Sequence, residues 1–309
     1  MATRLGLGLP QMRQYDVGRD IPDVARAAED IGYDSLWVFE RILFPEPARQ
    51  GLYGIPGLPW PDRYRSVADP LVSLTLAAAV TSRARLGTSV LVAPLHVPFQ
   101  LARALASLDA ASGGRVVAGL GTGWSRDEYA AAGVAPFERR GKVLDELIAV
   151  CRAVWGPDPV AYEGELTTIA PSVVGPKPAG PLPILLPANS ARAARRLVDR
   201  ADGWMPAATG AEALKRQWAE LRALAEERGR TAPLQSVLRA NTLYTREPCT
   251  ADDRRPFQGS VDQIVEDLVA HDEVGLEEIL IDLQGDCRDA RELTDVAAEV
   301  YEKARSAGV

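Results

Sequence analysis

The sequence predicts an α/β fold, a (β/α)8 TIM barrel, and three observations carry that expectation. Strand-like apolar runs alternate with helical segments eight times along the chain, the pattern of a parallel sheet wrapped by helices. The runs at Leu86–Val92 and Val116–Leu120 lack polar alternation, as strands covered on both faces do. The chain has 309 residues, 47% of them hydrophobic, and no linker rich in Ser, Gly or charge divides it. That suits one domain over 1–309, with insertions after strand 2 and before strand 5. A doubly wound open sheet is the architecture that periodicity alone leaves open.

In order, Leu5–Leu9 reads as a strand stopped by Pro10. Ile21–Ile31 reads as a helix with Pro22 in its first turn and Gly32 at its end. Ser35–Phe39 is the second strand and runs into Glu40-Arg41. Residues Ile42–Val67 carry prolines, glycines, Tyr53, Trp60 and Tyr64 without periodicity; a loop this long in a compact domain is usually functional or disordered, and the aromatics favour the first. Leu71–Val80 is a helix. After Leu86–Val92, Pro98 opens a helix whose Leu101, Ala104, Leu105 and Leu108 share one face before Gly113-Gly114. Val116–Leu120 leads into a glycine-rich rim, and Ser125–Phe137 is irregular with room for a short helix. Lys142–Trp155 is a helix, and Pro157–Pro183 an insertion with a hairpin near Val160–Ile169. Strands at Pro183–Leu186, Gly203–Met205, Ser236–Tyr244 and Glu278–Leu283 then alternate with helices at Ala191–Ala201, Ala211–Arg228, Val261–Val274 and Ala290–Ala304.

Net charge is −7 with no basic cluster, which argues against nucleic acid and anionic membranes as partners. Cys151, Cys249 and Cys287 stand far apart without a CxxC pair, the usage of free thiols in a reducing cytoplasm. The apolar start is too short for a signal peptide, and no run reaches membrane-span length. Of the two histidines, His96 lies just beyond strand 3, and His271, among helix residues, is expected to be exposed. No metal-ligand spacing or GxSxG motif is present. The four lysines, Lys142, Lys177, Lys215 and Lys303, avoid predicted strand ends, which disfavours a barrel hydrolase or aldolase.

Five segments in order, GYDSLWVFER (Gly32–Arg41), DPLVSLTLAAAVTSRARLGT (Asp69–Thr88), LGTSVLVAPLHVPFQLARALASLDAASGGRVVAGLGTGW (Leu86–Trp124), PILLPANSARAARRLVDRADGWM (Pro183–Met205) and GSVDQIVEDL (Gly259–Leu268), resemble the bacterial luciferase-like flavin and deazaflavin oxidoreductases. The likeness covers nearly the whole chain and leans to the branch using the deazaflavin coenzyme F420. It implies hydride transfer between F420 and a small organic substrate, with an oxygen-using FMN monooxygenase as the alternative. A non-catalytic deazaflavin-binding barrel is the alternative of another class. A homodimer is expected.

The resemblance also assigns roles. Ser89 and Val90, which alone read as core packing, take the position of a non-proline cis peptide behind the cofactor ring. Gly121, Thr122 and Gly123, alone a tight barrel rim, would let backbone approach the cofactor. The turn Ala188, Asn189, Ser190, Ala191 and Arg192 would bind its phosphate at a helix N-terminus, where the same Asn or Ser also serves as an ordinary cap. Tyr53, Trp60 and Trp124 are expected to line the substrate. Glu40, Arg41 and His96 are the catalytic candidates. Many deazaflavin-dependent relatives place His after the acidic residue, and this chain has Arg41 there. Arginine stays protonated, so Arg41 is expected to orient an oxygen of substrate or ring, while Glu40, His96 or water moves the proton. Glu128, Arg139, Arg140 and Glu146 read as a structural charge network outside the site.

Overall fold

A computed structural model describes residues 2–207 and 209–309. Eight strands form its frame: β1 (Arg4–Gly8), β2 (Ser35–Val38), β3 (Arg85–Thr88), β4 (Val116–Gly121), β5 (Ile184–Leu186), β6 (Gly203–Trp204), β7 (Gln235–Asn241) and β8 (Glu278–Asp282). Each pairs in parallel with the next. β8 returns to β1 with Leu5 opposite Ile279. The ring is therefore closed, which rules out the doubly wound sheet. Nine helices, α1 (Val17–Ile31), α2 (Pro70–Ala78), α3 (Pro98–Ser112), α4 (Arg126–Ala132), α5 (Arg140–Trp155), α6 (Ala191–Arg200), α7 (Ala211–Glu227), α8 (Val261–Asp272) and α9 (Ala290–Ser306), follow the strands among the described residues.

The bore is packed rather than hollow. Trp37, Val117, Leu185, Met205, Val237 and Leu280 fill it, with Val90 against them. Gly6 and Gly87 make room for the indole: a Cβ on either would lie within 2.7 Å of Trp37. Below, the first residues of four strands seal the N-terminal end. Glu278, 0% exposed, accepts from Ser35 Oγ at 2.5 Å and Trp37 Nε1 at 2.9 Å, and it pairs with Arg4 and Arg85. A carboxylate can be buried this deeply only because both oxygens have partners.

Both insertions stand where expected. In the second, Val160–Glu163 pairs with Thr168–Ser172, and Glu146 accepts from the turn amides of Glu165, Leu166 and Thr167. Several expectations need correcting. α1 begins at Val17, because the Asp16 side chain accepts from Arg19 N, so Pro22 lies past the first turn. The run Leu86–Val92 breaks at Ser89-Val90 and resumes as Leu91–Val92 against β4. β7 stops at Asn241, because Thr242 turns to donate to the Asp282 carbonyl at 2.8 Å. Leu243–Tyr244 then pairs with Gln258–Gly259 outside the barrel. His271 is buried, not exposed: its ring nitrogens meet the carbonyls of Asp267 and Thr209 at 2.6 and 2.8 Å. The three cysteines are unpaired. No helix among the described residues is long and apolar enough to cross a membrane.

Candidate active site at the C-terminal mouth of the barrel

β2 delivers Glu40 and Arg41 to the end of the barrel where strand C-termini and their loops meet, the position of ligands in this architecture. Glu40 is 2% exposed. Its Oε2 accepts from Val92 N at 2.6 Å, and its Oε1 lies 2.8 Å from His96 Nε2. The turn Ala93–Leu95 brings His96 across from the end of β3, and its side chain stays 26% exposed. Against a carboxylate that accepts, Nε2 is the donor of this contact and Nδ1 is the ring's second nitrogen.

Arg41 turns the other way. It donates to Glu128 Oε2 at 2.6 Å, the two side chains being 9% and 1% exposed, and Glu128 Oε1 takes Ile42 N at 3.1 Å. The guanidinium lies over Trp124, 4.7 Å from the ring centroid, and 5.9 Å from that of Trp60. Burial pushes the Glu128 carboxyl above its ordinary range, although the Arg41 charge opposes this. Glu128 therefore forms an ion pair, as expected, but with Arg41 at the mouth rather than within the set of Arg139, Arg140 and Glu146. A signal was there: Ser125-x-x-Glu128 is the pattern of a helix start, and Ser125 does cap α4. Glu128, however, spends its carboxylate on Arg41 and Ile42 rather than on the cap.

The peptide bond between Ser89 and Val90 is cis. Val90 and Val92 fill the bare faces of Gly121 and Gly123, where a Cβ would sit 2.5 Å from each valine methyl. These two glycines thus have a packing reason, and Tyr129 holds the carbonyl of Thr122 between them at 2.5 Å. The Ser89 carbonyl accepts from Arg239 on β7, and Arg239 also pairs with Asp282 at 2.5 Å. Sequence reasoning passed over both residues, although a charge inside an otherwise apolar strand is a signal in itself. Ser89 Oγ, Arg239 Nε and Trp124 Nε1 are buried without hydrogen-bond partners. Unpaired polar atoms beside aromatic rings fit a flat heteroaromatic group with polar edges.

The insertion spans the mouth. On one rim its Gln50 donates to the Trp124 carbonyl at 2.6 Å, Arg49 pairs with Asp127 at 3.0 Å, and Trp60 and Tyr53 pack on Trp124 with centroids 4.9 and 5.6 Å apart. On the other, Arg63 donates to the Gly285 carbonyl at 3.1 Å and Ala68 N to the Gln11 carbonyl at 2.9 Å. A hollow of about 580 Å³ is lined by residues of the insertion itself, from Phe44 to Trp60. It contains none of the strand-end side chains. A second, too narrow for water, lies between Trp37, Ser89, Arg239 and Asp282. The turn Ala188–Arg192 follows β5 at this same end. Ser190 caps α6, its Oγ accepting from Ala193 N at 3.2 Å, and Asn189, Ala191 and Arg192 are exposed.

The strand ends of this barrel thus carry a buried carboxylate–histidine pair beside an aromatic-rimmed mouth. The luciferase-like monooxygenase model matches residues 3–299, and the chain belongs to that family. It is 40% identical over 185 residues to an uncharacterised protein of Mycobacterium tuberculosis, 59% of this chain and 65% of that relative's length. It is 30% identical over 194 residues to the F420-dependent glucose-6-phosphate dehydrogenase of Kineococcus radiotolerans, 62% of this chain and 53% of the relative. Among solved structures, it is similar to an F420-dependent secondary alcohol dehydrogenase in complex with an F420–acetone adduct. That match has TM-score 0.75, 17% identity and coverage of 99% and 100%. The oxygenating constituent of 3,6-diketocamphane monooxygenase from Pseudomonas putida, in complex with FMN, also has TM-score 0.75, with 16% identity and coverage of 100% and 99%. At these identities the two structures bear on the fold alone.

Proposed function

We propose that the protein transfers a hydride between coenzyme F420 and a small organic substrate bearing a hydroxyl or carbonyl group. The Glu40–His96 pair at the mouth carries this reading. Arg41, always charged, cannot exchange a proton near neutrality, whereas His96 has one nitrogen, Nε2, held by Glu40 and Nδ1 as its second. In the oxidising direction, Nδ1 takes the hydroxyl proton as hydride leaves the same carbon; in the reducing direction it returns that proton to the carbonyl oxygen. Glu40 fixes the ring's orientation and balances the charge it gains. Ser89, Val90 and Gly121–Gly123 would support the coenzyme ring, and Ala188–Arg192 its phosphate. The bound deazaflavin supplies the hydride-carrying ring.

The FMN reading keeps a place because a family fold neighbour holds FMN. Fluorescence titration separates the two. F420 is expected to bind at least about tenfold more tightly than FMN, about 1.4 kcal/mol, and equal or reversed affinities would refute the F420 assignment. With F420 bound, His96→Asn is expected to keep the dissociation constant and lower turnover by roughly 10²–10⁴.

A further inference from the structure

The Ser89 carbonyl is held from within the bore by Arg239, whose guanidinium Asp282 Oδ2 anchors at 2.5 Å. The contacts continue from there. Asp282 Oδ1 accepts from Gln284 Nε2 at 3.0 Å, and Gln284 Oε1 accepts from Gln11 N at 3.0 Å. Gln11 Oε1 accepts from Phe39 N at 2.8 Å, and its Nε2 donates to the Phe39 carbonyl at 3.1 Å. Phe39 immediately precedes Glu40. One polar chain, mostly buried, therefore runs from the Ser89–Val90 segment to the backbone carrying Glu40.

Stability does not explain this chain. Removing an Arg–carboxylate pair from water costs several kcal/mol per ion, and apolar residues of the same volume often serve as well. A fixed geometry does explain it. The planar guanidinium serves two acceptors at once, which a lysine ammonium on a flexible stem does less rigidly. Its Nε remains unpartnered, as does Ser89 Oγ.

We propose that Arg239 is a positioning residue: anchored by Asp282, it fixes the Ser89–Val90 segment as the coenzyme platform and sets that platform's height relative to Glu40 and His96. The coenzyme part rests on the function proposed above.

The test compares the wild type with Arg239→Met and Arg239→Lys. Amide hydrogen exchange over residues 89–92, measured without ligand, is expected to accelerate at least about tenfold in Arg239→Met while exchange in β1 and β5 stays unchanged. F420, titrated by fluorescence, is expected to bind at least about tenfold more weakly to Arg239→Met and to shift its bound absorption band. Arg239→Lys, keeping one donor and the charge, is expected to recover part of both effects. Unchanged exchange at 89–92 in Arg239→Met overturns the proposal whatever happens to affinity. Accelerated exchange with unchanged F420 binding and spectrum overturns it too, because the segment is then not the platform. A wild type that binds neither F420 nor FMN would instead sink the hydride-transfer reading, and the exchange result would still decide whether Arg239 holds the segment.

Discussion

Arg41 and Glu128 are each almost withdrawn from solvent, and neither can lose the other cheaply. Arg41→Ala leaves a buried carboxylate facing aromatic rings, and breaking a buried pair this way typically costs about 3–5 kcal/mol. A urea midpoint lowered accordingly is the expected result, and Arg41→Ala combined with Glu128→Gln should recover much of the loss, giving a large coupling term in the double-mutant cycle. If the two single effects simply add, the pair is not a unit. The strand-end position of Arg41 was legible in Leu36-Trp-Val-Phe39 before it. Its partner was not, because Glu128 lies 87 residues away, and only the pairing of β2 and β4 on either side of β3 brings the loops after them together. His96 shows the same limit. A lone histidine past a strand is readable, but the carboxylate that makes it useful comes from another strand.

The insertion Ile42–Val67 is the element most plainly marked by composition, since its prolines and aromatics sit where no periodic segment could form. Its anchors on both rims make it a wall across the mouth. Trp60 faces Trp124 at 4.9 Å and holds the Gln50 carbonyl through Nε1 at 3.1 Å. Trp60→Ala is therefore expected to lower kcat/KM roughly tenfold or more through lost substrate orientation, with the coenzyme dissociation constant changing much less. Equal damage to both would place the coenzyme against this wall instead. Element ends were harder to read than element existence. α1 starts early because Asp16 caps it, and β3 breaks because Ser89-Val90 leaves the ladder. Caps and bulges depend on local dihedrals that apolar spacing does not encode.

Across the whole molecule, the barrel class and the order of its parts follow from alternation and length, whereas the polar chain through Gln11, Asp282 and Arg239 depends on three-dimensional closure. Acid stability is likewise a property of the assembled barrel. Glu29 on α1 accepts from the amides of Ser82, Arg83 and Ala84 at 3.0, 2.7 and 2.8 Å, stitching α1 to the loop before β3. Burial alone would raise its carboxyl, but these N–H groups hold it down at about 2, against an ordinary value of 4.5. The folded value is the lower one, so this contribution is complete above about pH 4.5 and disappears as the pH falls toward 2. Partial solvent screening leaves it worth about 1–2 kcal/mol. Thermal melts of the wild type and Glu29→Gln should differ at pH 7 and converge near pH 2; a constant gap would refute the assignment.

The sealed lower end also dictates traffic. Among the described residues Glu278, Ser35, Arg4, Arg85 and Trp37 plug the lower bore, so ligands of the proposed site exchange at the C-terminal mouth. Whichever ligand lies deeper must then arrive first and depart last. Initial-rate kinetics should accordingly show a compulsory order of addition, and a dead-end analogue of the outer ligand should trap the inner one in place.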